Sequence, residues 1–292
     1  MHIVHLTDPH LSTLDGVRFS QLRGKRLLGY QSWYRNRRHR HRSEALEAIT
    51  ADVRAQSPDL IVVTGDLVHI GLRSEFAEAR EWLARLGPAD RVRLIPGNHD
   101  CYHPESWALA REAYGDYLAD VPGDASDHEP AAGFPGCEQY RDAVLVAASS
   151  AHPAPWWGAI GTLGEAQRSR INQHLMDNQQ RFRVLAIHHP PLPGACSWRK
   201  ALTDANHLQT ILQHSPSHIV LHGHLHRNSS LTTDCGRIYC TASASSVHEH
   251  APASYRSFRV EHRDKAWQVQ MTLRSLGPEG VQEQAQEHYQ LS

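Results

Sequence analysis

Cysteine is scarce in this 292-residue chain. The five present are an odd number with no C-x-x-C pair, which argues against a disulfide framework and fits a reducing compartment. The spacing leaves room for one bridge, between Cys235 and Cys240 on either side of Gly236 in a hairpin-like stretch. Long apolar runs are missing as well, and none approaches the roughly 20 residues needed to span a bilayer. Nor does a basic region followed by an apolar stretch and a small-residue cleavage site open the chain: Met1-His2-Ile3-Val4-His5 reads as a strand at once. A cytosolic protein is expected. Net charge is nearly absent, at −1 from 30 basic and 31 acidic residues, so neither general nor sequence-specific nucleic-acid binding is expected.

One local absence is of another kind. From Arg18 to Arg42 there is no acidic residue, while Arg18, Arg23, Lys25, Arg26, Arg35, Arg37, Arg38, Arg40 and Arg42 alternate with Phe19, Leu22, Leu27, Leu28, Tyr30, Trp33 and Tyr34. This basic, aromatic-bearing insertion over residues 15–43 reads either as a solvated loop and helix face or as a surface for an anionic membrane or a phosphorylated substrate.

Hydrophobic residues make up 40% and charged residues 21% of the chain, ordinary for a soluble globular protein. Strand-like runs alternate with amphipathic helical stretches through the first half, and strands follow one another near the C-terminus. The pattern predicts an α/β fold, a mixed-sheet β-sandwich flanked by helices. A single domain over residues 1–275 is expected, with a Gly-, Pro- and Asp-rich surface loop from Asp120 to Gly136 and a polar tail over residues 276–292.

Five apolar, β-branched runs end in oxygen or imidazole side chains. Ile3 to Thr7 precedes Asp8 and His10; Leu60 to Thr64 precedes Gly65 and Asp66. Val92 to Ile95 leads into Pro96-Gly97-Asn98-His99-Asp100, Val184 to Ile187 into His188 and His189, and Ile219 to Leu221 into the His222 to His226 cluster. Each alone reads equally as a loop; together they place ligand-type residues at strand carboxyl ends, where sites form in such sheets. Imidazoles with carboxylate and amide oxygens, and no thiolate, suit Mn, Fe, Zn or Ni. Seven such ligands are too many for one tetrahedral ion and suit two ions sharing a carboxylate.

In this order the five motifs resemble the calcineurin-like metallophosphoesterase superfamily. Asp8-x-His10, His188-His189-Pro190-Pro191 and Gly223-His224-Leu225-His226 are most similar to its bacterial phosphodiesterase branch, and the resemblance runs from Met1 to about Val260. It implies one metal held by Asp8, His10 and His226, a second by Asn98, His188 and His224, and Asp66 between them. His188 is preferred to His189 because the family's ligand stands two residues before the proline. The implied activity is hydrolysis of a phosphodiester or pyrophosphate by metal-activated water. His99 is the expected general acid or phosphate-oxygen donor, with Asp100 holding its ring. His5, His69, His103, His222, His248 and His250 are weaker candidates for the pocket wall, and Trp156 and Trp157 read as packing or loop anchors.

Two substrate classes stand open. The Asp204-Ala205-Asn206 region resembles the substrate side of cyclic nucleotide phosphodiesterases; the basic insertion suggests instead a lipid-linked pyrophosphate of the UDP-diacylglucosamine type, cleaved at the inner face of a membrane. A non-catalytic scaffold on the same fold is disfavoured because Asp8, Asp66, Asn98, His99 and His226 are all present.

Overall fold

The structure, a computed structural model, describes residues 1–11, 13–121 and 128–291; most of the expected loop from Asp120 to Gly136 is among them, but residues 122–127 are not. β1 (His2–Leu6), β2 (Leu60–Val63) and β3 (Val92–Leu94) run parallel. β4 (Gly136–Tyr140) pairs antiparallel with β5 (Ala143–Ala148). β6 (Phe182–Ile187) and β7 (Ile219–His222) continue that sheet in parallel, and the hairpin β8 (Ser229–Thr233) and β9 (Gly236–Cys240) closes it. After a short pair, β10 (Val247–His248) and β11 (Ala251–Pro252), three long antiparallel strands return to the first sheet: β12 (Ser254–Arg263), β13 (Ala266–Gly277) and β14 (Gly280–Leu291). The two six-stranded sheets have the orders β14-β13-β12-β1-β2-β3 and β4-β5-β6-β7-β9-β8.

Alternation along the strands decides the layers. Ile3, Leu60 and Val62 meet Leu145, Val184, Ala186 and Leu221 between the sheets. Their neighbours Val4, Leu6, Ile61 and Val63 face α2 (Ser43–Ala55), α3 (Arg73–Leu86) and α4 (Ser106–Tyr114), while Val146, Leu185, Ile187 and Val220 face α5 (Glu165–Asp177) and α6 (Ala205–His214). Because both faces of each sheet are covered, the central strands are apolar throughout rather than alternating with polar residues. The buried His5 sits among them by bonding Thr64 Oγ1 at 2.9 Å and Thr241 Oγ1 at 2.8 Å.

The segment expected as a polar tail is instead β14, paired with β13 from Trp267↔Leu291 to Gly277↔Gly280. It reads as polar because an edge strand leaves most side chains in water, with Val281, Tyr289 and Leu291 reaching apolar clusters. Cys235 and Cys240 are free thiols.

The basic insertion folds as a helix, α1 (Lys25–Arg35), followed by a turn of 3₁₀ helix over Arg37–His39. Its inner face is pinned. Leu22 and Trp33 pack with Leu14, Ile70, Leu72 and Tyr102, and the buried Arg26 donates to the Ile70 and Gly71 carbonyls and to Glu105. Gly29 lets the helix lie against Tyr102, where a Cβ would come within 2.4 Å of the phenol oxygen. Phe19, Leu28 and Tyr34 remain exposed.

Candidate metal centre

Strand ends bring the expected residues together through an unfavourable backbone conformation. Asp8, His10, Asp66, His224 and His226 all have φ between 41° and 67°, five of the nine non-glycine residues with positive φ among those described. Such φ values are held only where the surroundings over-determine them, and they concentrate at functional sites. The adjoining glycines make the approach possible: a Cβ on Gly97 would lie 2.2 Å from Asp66 Oδ1, and one on Gly223 would lie 1.9 Å from Thr7 Oγ1.

Two donor groups meet around Asp66. In the first, His226 Nε2 stands 3.1 Å from Asp8 Oδ1 and 3.3 Å from His10 Nε2, which is 4.0 Å from Asp66 Oδ2. In the second, His188 Nε2 is 3.4 Å from the same Asp66 oxygen, 3.2 Å from Asn98 Oδ1 and 3.2 Å from His224 Nδ1. Asp66 Oδ1 accepts the His99 N–H at 2.7 Å, which aims the other oxygen at both groups. His41, from the end of the basic insertion, also comes close to His10 and His226.

These groups fit metal ions. Donors held about 2.1 Å from one ion lie roughly 3.0–3.4 Å apart at octahedral or tetrahedral angles, close to the separations found within each group. The ring orientations agree: His10 Nδ1–H donates to the Val68 carbonyl at 3.1 Å and His188 Nδ1–H to the Thr64 carbonyl at 2.6 Å, leaving each Nε2 turned inward. Asp8 Oδ2 takes the Thr7 hydroxyl and the His224 N–H, while the buried Oδ1 faces His226.

Burial pushes His10 and His224 well below the usual imidazole range, with neighbouring imidazoles adding to it, so both are neutral ligand-type rings. Burial also disfavours the imidazolium of His188, but Asp66 overrides it and holds the ring up at about 9. Burial alone would raise Asp8; His226, His188 and the Thr7 hydroxyl reverse that and hold it below the ordinary carboxylate value. With the His226 side chain 34% exposed, the centre opens on that side.

Other expectations sort by their partners. His189 has both ring nitrogens engaged, by Ser150 Oγ at 2.8 Å and the Ala159 carbonyl at 3.2 Å, and so stands behind His188 rather than in the donor groups. His69 stacks on His10 at 5.0 Å, while His103, His248 and His250 lie outside the donor groups. Asp204 accepts the Leu163 and Gly164 N–H groups and Arg168, and Asn206 is exposed on α6. Trp156, at 73% exposure, is not a packing anchor, and Trp157 pairs with Trp198.

Asp100 does not hold the ring of His99. Its carboxylate accepts the backbone N–H groups of Asp66, Leu67 and Gly97 at 2.8–3.0 Å, because the two crossing loops would otherwise bury those donors unsatisfied. The ring is held instead by the His69 carbonyl, which takes Nδ1–H at 2.5 Å, and by stacking on Tyr102. Arg37 and His41 were not legible as site residues. Their sequence signal was confined to a basic run, and only the apolar inner face of α1 hinted that the run turns inward.

Comparison with known proteins identifies the family. The family model described as calcineurin-like phosphoesterase matches residues 1–228. The chain belongs to that family. It is a metal-dependent phosphoester hydrolase. This phosphoesterase is similar to the 3′,5′-cyclic adenosine monophosphate phosphodiesterase CpdA of Escherichia coli (strain K12), 29% identical over 249 residues that cover 83% of this chain and 76% of that protein. It is also similar to a probable cyclic nucleotide phosphodiesterase of Synechococcus sp. (strain WH7803), 27% identical over 267 residues, 86% of this chain and 85% of that one. Among solved structures its fold is shared with PhoD, at a TM-score of 0.63 and 12% identity over all of this chain and 70% of the other. A purple acid phosphatase from yellow lupin shares it too, at 0.54 and 12% identity over all of this chain and 53% of that one. No helix among the described residues is long and apolar enough to cross a membrane.

Proposed function

We propose that this phosphoesterase is a dinuclear-metal phosphodiesterase, with Asp8, His10 and His226 holding one ion, Asn98, His188 and His224 the other, and Asp66 shared. The observation that carries this reading is the position of one Asp66 oxygen between two separate donor groups. When bound, two such ions lower the pKa of a water and neutralise charge on phosphoryl oxygens. The chain's own residues keep the ligand rings in one tautomer and leave the His226 side open for substrate.

A soluble cyclic nucleotide is the favoured substrate class, supported by the relatives' names. The lipid-linked pyrophosphate reading loses ground because Arg26, Leu22 and Trp33, which would have met headgroup and acyl chains, are used inside the fold. The test is turnover of bis(4-nitrophenyl) phosphate and of 3′,5′-cyclic AMP by chelator-treated protein before and after titration with Mn²⁺. Activity that returns as two ions per chain are bound is the expected result; full activity with one ion would remove the dinuclear reading.

A further inference from the structure

Nine basic residues between positions 18 and 42 are more than the metal centre requires, and one of them, half-buried, turns towards it. Arg37 sits at the start of the 3₁₀ turn that follows α1, and its Nη1 donates to His99 Nε2 at 2.9 Å. No carboxylate pairs with this guanidinium among the described residues, although Asp66 and Asp8 act on it electrostatically across the centre. A cation placed beside a metal centre with its other N–H groups uncommitted is suited to an anionic ligand, and a guanidinium matches the oxygens of a phosphate.

Its support is rigid on both sides. Upstream, Trp33 is buried against Leu14, Ile70 and Tyr102, and the Lys25 ammonium reaches the Ala154 carbonyl at 3.0 Å. Downstream, the Arg40 carbonyl accepts Val247 N–H, Arg42 N–H donates to Ser245, and the His41 ring bonds Ser245 Oγ at 2.8 Å. The turn carrying Arg37 is therefore fastened at both ends to the frame that carries the donor groups. Arg38 turns the other way, onto the exposed Tyr34 ring.

The geometry points to Arg37 as the substrate's phosphate anchor, its guanidinium donating to a non-bridging phosphoryl oxygen while His99 acts as a positioning residue behind it. This rests on the phosphodiesterase reading above. The His99 ring donates Nδ1–H to the His69 carbonyl and accepts a hydrogen bond from Arg37 at Nε2. In this arrangement the ring orients the guanidinium. No proton moves from Arg37, which binds the anion as a fixed cation.

The experiment compares metal-reconstituted full-length wild type with Arg37→Gln, Arg37→Lys and Arg38→Gln. It measures metal content, melting temperature, KM and kcat for bis(4-nitrophenyl) phosphate, and binding of inorganic phosphate by calorimetry. Arg37→Gln is expected to keep its metals and melting temperature while KM and the phosphate dissociation constant rise on the order of 10- to 100-fold, the size of a lost charge-assisted hydrogen bond. Arg37→Lys should recover part of this, and Arg38→Gln should match wild type. Unchanged phosphate affinity in Arg37→Gln would overturn the proposal, as would a loss accompanied by lost metal, which would make Arg37 a structural brace. If wild type bound phosphate but turned over no diester, the phosphodiesterase reading would fail while the phosphate comparison still decided the case for Arg37.

Discussion

Asp66 shows how much one side chain can be asked to do. One oxygen is fixed by the His99 N–H and the other stands between His10 and His188, at a residue whose φ of 58° is itself unfavourable. Asp66→Asn keeps the shape but removes the charge that would offset two cations, so we expect both ions to bind more weakly and turnover to fall nearly to background. His226→Ala, which alters only the first donor group, should lose chiefly one ion. Metal analysis after dialysis separates the two, and two tightly held ions in Asp66→Asn would sink the shared-ligand assignment. The donor types and their order were legible in the sequence, and His188 rather than His189 lies beside Asp66 and Asn98. The partner of the His99 ring was not legible, because the His69 carbonyl that holds it is a main-chain atom with no residue signature.

Among the elements, α1 and β14 departed furthest from expectation, and for related reasons. Each has a composition dominated by the side it shows to water. The arginines and exposed aromatics of α1 suggested a surface patch, yet its inner face is set by Trp33, Gly29 and Arg26. β14 has the glutamines and glutamates of a tail, yet its backbone completes the ladder with β13, and Glu287 meets Arg237 at 3.1 Å. Deleting residues 280–292 would leave the 12-residue β13 as an open edge, a template for pairing with another chain. We expect a lower melting temperature and concentration-dependent association in size-exclusion chromatography. A truncated chain that stayed monomeric with an unchanged melting temperature would show β14 to be dispensable.

At the level of the whole molecule, buried histidines tie stability to pH. Arg183 N–H donates to His218 Nδ1 at 2.8 Å, so the ring must be unprotonated there. Burial, with Arg183 nearby, lowers His218 from 6.5 to about 4; His2, His5 and His222 are lowered as well. Below pH 6.5 the unfolded chain takes up protons that the folded chain refuses. This stabilisation is therefore complete above 6.5 and is lost as pH falls through 6.5 towards 4. Asp100, pushed up to about 7 by burial and Asp66, acts with the opposite sign, so the informative quantity is a difference between variants. The drop in melting temperature from pH 7.5 to pH 5 should be smaller in His218→Gln than in wild type. Equal drops would show that His218 contributes nothing to the acid sensitivity.

The order of strands and helices from α2 to β9, the layering of the sandwich and the donor types at five strand ends were all determined by the sequence alone. Each depends on local alternation or on residue chemistry, and neither needs knowledge of what lies across the fold. Tertiary structure decided which long-range groups meet. It drew Arg37 and His41 out of a basic run and into the centre, and gave Asp100 to the backbone of two crossing loops. It also paired the C-terminal residues as a strand. These outcomes depend on contacts between residues tens to hundreds of positions apart, and no periodicity within a single segment records them.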